Sequence, residues 1–167
     1  MRPGWTADKV VLMELEREDL LEFYRRYLDR CNEHRLDELG EFVADEVNGP
    51  REGLSRYIAG LRAVIEAFPD YQWDLQRVLA DGQWLAARLY GTGTHTGSFR
   101  GVGATGRAIR TQELVIYRVA DGKIIECWGD LGSTVRDQLI SGTTSAQAQG
   151  HAANRQWIGD RARVSHP

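Results

Sequence analysis

One carboxylate in this chain sits where it could do acid–base work. Glu113 lies in the run Thr111-Gln112-Glu113-Leu114-Val115-Ile116-Tyr117. Alternate residues of an extended strand share a face. If Val115 faces inward, Thr111, Glu113 and Tyr117 face inward with it. A carboxyl group deep in an apolar, aromatic wall is held towards its protonated form by desolvation. Such a group can take a proton from a carbon next to a carbonyl, or from water. The competing reading is structural: Glu113 pairs with Arg88 on the adjacent strand and satisfies a buried charge.

The other reactive residue types form no familiar constellation. His95 stands in a glycine-rich turn, and alternation sets it opposite Arg88 and Tyr90; the expectation is a histidine that caps a loop. His34, His151 and His166 lie in polar segments. Cys31 and Cys127 are far apart and read as buried small hydrophobes, giving neither a disulfide framework nor a metal spacing. No set of His, Cys, Asp and Glu has ligand spacing, so no metal is expected. No Ser-His-Asp arrangement or nucleophilic Cys motif is visible. Gly91, Gly93, Gly97, Gly101, Gly103 and Gly106 are spaced irregularly between two strands. They read as bends in a sheet, with no helix after them to make a phosphate cradle. Trp73, Trp84 and Trp128 read as pocket wall or core.

The elements that must position these residues come in two blocks. Residues 1–16 read as a leader, loose through residue 12. From Arg17 to Glu33 a helical stripe holds Leu20, Leu21, Tyr24, Tyr27, Leu28 and Cys31. A short helix follows from Leu36 to Val43, then a break through Asn48, Gly49 and Pro50 with a short extended piece at Val47. A third helix spans Arg51 to Phe68, with the stripe Leu54, Tyr57, Ile58, Leu61, Val64, Ile65 and Phe68, and Pro69-Asp70 ends it. The pattern then turns to period two. Strands are predicted over Tyr71–Ala80, Gln83–Thr94, Arg107–Val119 and Lys123–Trp128, with hairpin turns at Asp81-Gly82 and Asp121-Gly122. Helices followed by hairpin-linked strands make an α+β domain, with helices on one face of an antiparallel sheet. That domain is expected over residues 17–140. Residues 141–167 form a tail poor in large apolar residues apart from Trp157 and Ile158, either mobile or docked through Trp157.

Composition narrows the function classes. The chain has 167 residues and a net charge of −3, enough for one domain with a real core. No basic surplus points to nucleic acid, no apolar run approaches membrane-spanning length, and Met1 to Lys9 lacks a signal-peptide core. A cytoplasmic protein is expected.

Three phrases carry a resemblance. They are Phe68-Pro69-Asp70; Gly93-Thr94-His95-Thr96-Gly97-Ser98-Phe99 with Gly101 and Thr105-Gly106-Arg107; and Ile116-Tyr117-Arg118 with Asp121-Gly122-Lys123-Ile124 and Glu126-Cys127-Trp128. In this order and spacing, over roughly residues 17 to 140, the chain resembles the SnoaL-like polyketide cyclases of the NTF2-like superfamily. The resemblance implies a cone: three N-terminal helices on a curved antiparallel sheet enclosing an apolar pocket. It implies cofactor-independent ring closure of a polyketide by intramolecular aldol condensation, a small, hydrophobic, polycyclic or polyketide-like substrate, and a homodimer or higher homo-oligomer paired through the outer sheet face. Another cofactor-free reaction in the same pocket (hydroxylation, epoxide or lactone opening) and a non-catalytic ligand-binding dimer are the alternatives.

The resemblance also distributes roles, with departures. The cyclases have an acidic residue directly after the last-strand Trp and a His on the neighbouring strand. Here Gly129 follows Trp128, Asp130 comes one later, and Val115 takes the His position. A one-residue bulge would return Asp130 to the pocket; otherwise it is a turn aspartate. Arg88 matches an arginine placed similarly in such chains, so its face, with Trp84, Ala86 and Tyr90, reads as inward, and Arg88 would stabilise an enolate. Tyr27 and Asn48 map onto pocket-shaping positions. The expected site is thus Asp130, Glu113 and Arg88 as catalytic groups, lined by Tyr27, Asn48, Trp73, Trp84, Tyr90 and Trp128.

Overall fold

The computed structural model describes residues 7–141, with side chains from residue 16 onward. The order is α1 (Ala7–Asn32), a 3₁₀ turn (Leu36–Glu41), α2 (Gly53–Ala67), then β1 (Gln72–Asp81), β2 (Trp84–Thr94), β3 (Ala108–Ala120), β4 (Lys123–Gly129) and α3 (Leu131–Ser141). The strands form one curved antiparallel sheet in the order β1-β2-β3-β4.

The predicted α1 stripe is the one that packs: Leu20, Tyr24, Tyr27, Leu28 and Cys31 are all buried. On α2 only Val64 and Ala67 are fully buried, because much of that helix faces a cavity. Asp81-Gly82 and Asp121-Gly122 make the two tight turns, and three of these four residues have positive φ: Gly82 55°, Asp121 51° and Gly122 71°. The loose alternation of β1 has a cause. Its register against β2 shifts between Leu75 and Arg77, so Trp73 and Val78 share an inward sense despite odd and even numbers.

Two of the phrases that carried the resemblance meet in space. Asp70 accepts from the Thr94 backbone N–H and hydroxyl, both at 2.7 Å. The amides of Thr96 and Gly97 donate to the carbonyl of Ala67 at the end of α2. Gly97 is required there, since a Cβ would stand 2.5 Å from the Glu66 carbonyl oxygen. His95 is fully buried, stacked on Phe68 at 4.9 Å and bonded to Thr105. Burial and the charge of Arg107 lower its pKa. It anchors the loop, as expected, and does not line the pocket.

Three boundaries differ from the sequence reading. The helix expected from Arg17 begins at Ala7, so residues 7–16 belong to α1 and not to a loose leader. The second helix is a 3₁₀ turn of six residues. The short extended piece falls at Val43, which bridges to Ile124, and not at Val47. Helix α3 was not foreseen: its first turn, Leu131-Gly132-Ser133-Thr134, is poor in helix formers, and burial of Val135 and Leu139 holds it. Residues 142–167, with Trp157, Ile158, His151 and His166, lie outside the described residues.

Candidate active site

A cavity of about 490 Å³ opens between the helices and the concave sheet face. Its polar centre is Glu113. The side chain is 5% exposed and points inward from β3 with Thr111, Val115 and Tyr117, as alternation requires. Tyr71 donates its hydroxyl to Oε1 at 2.6 Å, and Trp73 donates Nε1–H to Oε2 at 3.1 Å. Burial pushes the Glu113 pKa up to about 7. The Tyr71 and Trp73 bonds pull it down, and the nearby charge of Asp130 pushes it up again. A carboxyl group titrating near neutrality is suited to passing a proton both ways.

The space for this arrangement is made by Gly91. It pairs with Trp73 on one side and Thr111 on the other. A Cβ there would lie 1.9 Å from the Tyr71 hydroxyl and 2.2 Å from Glu113 Oε1. A glycine inside a strand often marks such a close approach.

The far wall is a tyrosine cluster. Tyr27 and Tyr57 share a hydroxyl–hydroxyl bond of 2.5 Å. Tyr24 packs on Tyr117 at 5.4 Å between ring centroids, and its buried hydroxyl meets no partner with hydrogen-bond geometry. Burial raises the pKa of all four phenols, so they stay protonated and able to donate. Cys31 and Cys127 also line the cavity. Burial lifts both thiols to about 12, which removes them as nucleophiles at neutral pH.

Asp130 reaches the rim without a bulge beside it. It sits where β4 ends and α3 begins, so strand alternation no longer governs its direction. Its Oδ1 accepts the Leu114 N–H at 3.3 Å, and its carbonyl caps the first turn of α3. Asn48 also lines the cavity. Its side-chain amide exchanges two bonds with the backbone of Cys127, fixing the loop to β4. Tyr27 and Trp73 are in the wall, as the sequence suggested.

Four expected residues are on the other side of the sheet. Arg88, Trp84, Tyr90 and Trp128 project from the convex face. The correction follows from register: Leu89, not Arg88, pairs with Glu113, while Arg88 pairs with Leu114. Paired residues in antiparallel strands point the same way, so Leu85, Ala87, Leu89 and Gly91 face the cavity and the alternate set faces out. The Glu113–Arg88 ion pair does not form. Trp84 and Trp128 stack on each other at 5.8 Å, and Arg110 covers the Tyr90 ring at 3.5 Å. Tyr71, Tyr57, Gly91 and Arg100 are the site residues that the sequence reading missed. Tyr71 and Gly91 had a signal: Tyr71 precedes Trp73 by two residues, and Gly91 interrupts a strand. Among the described residues, no cluster of three or more His, Cys, Asp or Glu could hold a metal ion.

The family model described as SnoaL-like polyketide cyclase matches residues 21–132. Aklanonic acid methyl ester cyclase DauD of Streptomyces sp. (strain C5) is 27% identical over 128 residues, covering 70% of this chain and 79% of the relative. A solved SnoaL-like polyketide cyclase from Agrobacterium tumefaciens is 34% identical with a TM-score of 0.62, covering 72% of this chain and 97% of that one. AclR from Streptomyces galilaeus, 20% identical, shares the fold with a TM-score of 0.65, over 75% of this chain and 98% of its own.

Proposed function

This chain belongs to the SnoaL-like polyketide cyclase family, and from that premise we propose that it closes a ring in a polyketide by acid–base catalysis without a cofactor, with Glu113 moving the proton. The observation that carries the reading is the buried Glu113 carboxyl, held by Tyr71 and Trp73 at the centre of the cavity. Ionised Glu113 takes a proton from a carbon activated by neighbouring carbonyls. The enolate so formed attacks a carbonyl carbon elsewhere in the same molecule, making one C–C bond. The resulting alkoxide takes back the proton, so atoms balance within the substrate and no electron acceptor is needed. A tyrosine hydroxyl of the opposite wall stabilises the enolate oxygen by donation, the role that Arg88 loses by facing outward. The cavity holds the reacting atoms together, which lowers the barrier through proximity.

Asp130 acts at one remove in this proposal, as a rim charge that keeps Glu113 from ionising too readily. The proposed substrate is a small, largely apolar polyketide. The proposed assembly is a homodimer through the convex sheet face, supported by the exposed Trp84, Leu114, Ile116 and Trp128 there.

The test uses the substrate named for the curated relatives, aklanonic acid methyl ester, and reads two signals. One is a product of unchanged mass with altered retention. The other is solvent deuterium uptake at the acidic carbon. Turnover and exchange in the wild type, with both lost in Glu113→Gln, are expected. Cyclisation that survives Glu113→Gln undamaged would refute the role of this carboxyl.

A further inference from the structure

Resting on that reading of the pocket, we propose that Arg100 selects a substrate with a carboxylate, or an equally anionic oxygen group, at the end facing the cavity mouth. Phe99 and Val102 exchange both backbone hydrogen bonds, at 2.9 and 2.8 Å, and close a two-residue hairpin. Its central residues, Arg100 and Gly101, have φ of 45° and 84°. Two positive φ angles are the pattern of a type I′ turn, whose first central position favours asparagine. An arginine gains nothing there from local conformation, since a side chain with a bulky Cβ substituent pays for left-handed backbone.

What the arginine gains is position. Phe99 is buried and fixes the turn. The Arg100 side chain then lies across Gly132, where a Cβ would come within 2.1 Å of Nη2 and 2.2 Å of Cζ. Both residues line the cavity. The other arginine of the lining, Arg56, is paired with Glu52 at 2.9 Å. Arg100 has no carboxylate partner among the described residues; besides Gly132, it lies near the Phe99 ring, 5.9 Å from Cζ. The carboxylates of the lining are engaged elsewhere: Glu52 by Arg56, Glu113 by Tyr71 and Trp73, and Asp130 by the Leu114 N–H. A planar guanidinium held at a cavity mouth matches a carboxylate through two parallel N–H···O bonds. A methyl ester leaves that charge unanswered.

The experiment measures calorimetric binding of two probes, anthraquinone-2-carboxylate and its methyl ester, to the full chain. Wild type is expected to bind the acid about tenfold more tightly, the gain of one charge-assisted pair at a partly wet site. Arg100→Asn should erase the preference, chiefly by lowering affinity for the acid about tenfold. Asparagine suits the turn, so this variant keeps the fold, and its melting temperature should equal or exceed that of wild type. Salt should narrow the preference in wild type only. Equal affinity for acid and ester in wild type, or a preference that persists in Arg100→Asn, overturns the role of Arg100 and leaves the aromatic pocket standing. Failure of both probes to bind overturns the pocket reading and this proposal together.

Discussion

Tyr71 and Glu113 meet hydroxyl to carboxyl at 2.6 Å, over a residue, Gly91, whose lack of a side chain leaves the gap they occupy. The tyrosine comes from the segment leading into β1, the glutamate from β3, and the glycine from the strand between them. Together they bury the Glu113 carboxyl, and that burial, ahead of the bonds from Tyr71 and Trp73 and the charge of Asp130, sets its proton affinity.

Removing that carboxyl should stop chemistry and spare binding. Glu113→Gln keeps size, its one oxygen can accept from Trp73 Nε1–H and its NH2 can donate to the Tyr71 hydroxyl oxygen, but it cannot take a proton. A fall in kcat on the order of 10²–10⁴ is expected, the usual reach of a general acid–base group. Ligand affinity by calorimetry should change little. Retained kcat would remove Glu113 from the mechanism.

The pH profile should follow the two neighbours in opposite directions. Glu113 titrates near 7, and the proposed base must be ionised, so kcat/KM should rise through that pH. The Tyr71 bond lowers the Glu113 pKa and the Asp130 charge raises it. Tyr71→Phe should therefore move the rising limb to higher pH, and Asp130→Asn to lower pH. Asparagine can still accept the Leu114 N–H, so the rim should survive. Limbs that move together, or stay fixed, would show that another group controls the profile.

How far the sequence foretold this site depends on which strand parity is asked about. Within β3, alternation alone placed Thr111, Glu113 and Tyr117 on one face, because the period of a strand is two. Across the sheet that logic stops. Between Thr94 and Ala108 runs a long connection, and its one two-residue turn, at Arg100-Gly101, does not join β2 to β3 directly, so it does not fix which residue of β2 meets Glu113. A slip of one residue exchanges the faces, and the inward reading of Arg88, Trp84 and Tyr90 rests on the resemblance, with no register to check it. Composition does carry a hint, since Leu85, Ala87 and Leu89 are all apolar while the alternate set, Trp84, Ala86, Arg88 and Tyr90, includes a charge; the resemblance outweighs it. Asp130 was ambiguous for a related reason: it lies one residue past a strand whose end the sequence does not mark.

Glu113 should also make stability depend on pH in an unusual sense for a carboxylate. Its folded pKa, about 7, lies above its ordinary 4.5, so the native state binds the proton more tightly than the unfolded chain. Stability from this group is full below pH 4.5 and is lost as pH rises towards 7 and beyond. The loss is about 3 kcal/mol. Glu113→Gln, which cannot ionise, should gain on wild type between pH 5 and pH 8 in urea melts. A constant difference across that range would mean the carboxyl is not held above its ordinary value.

Gly91→Ala tests the gap itself. The added methyl meets the Tyr71 hydroxyl and Glu113 Oε1 well inside van der Waals contact, and neither can retreat easily, since Tyr71 is fully buried and Glu113 is also held by Trp73. Overpacking of a fixed site costs about 1–3 kcal/mol, and activity should fall beyond what that loss of stability explains. A second substitution, Tyr71→Phe, removes the nearest contact but keeps the ring Cζ 2.5 Å away, so it should return part of the stability to Gly91→Ala and leave the pH limb where Tyr71→Phe alone puts it. Independent, additive losses in the double variant would show that the glycine and the tyrosine do not share this space.

The convex face carries the last prediction. Trp84, Leu114, Ile116 and Trp128 are each about half exposed, from 45% to 54%, and the β2–β3 and β3–β4 pairings bring them together on three adjacent strands. A monomer rarely leaves an apolar patch of that kind in water. A second copy set against the same face would bury each patch against its equal, as a two-fold dimer requires. Equilibrium sedimentation of wild type should give twice the chain mass, and Ile116→Lys should give the chain mass, because two lysines would then face each other across the axis. The cavity lies on the opposite side of the sheet, so Ile116→Lys should keep its ligand affinity. A wild type that sediments as a monomer, or an Ile116→Lys variant that stays paired, would exclude this face as the interface.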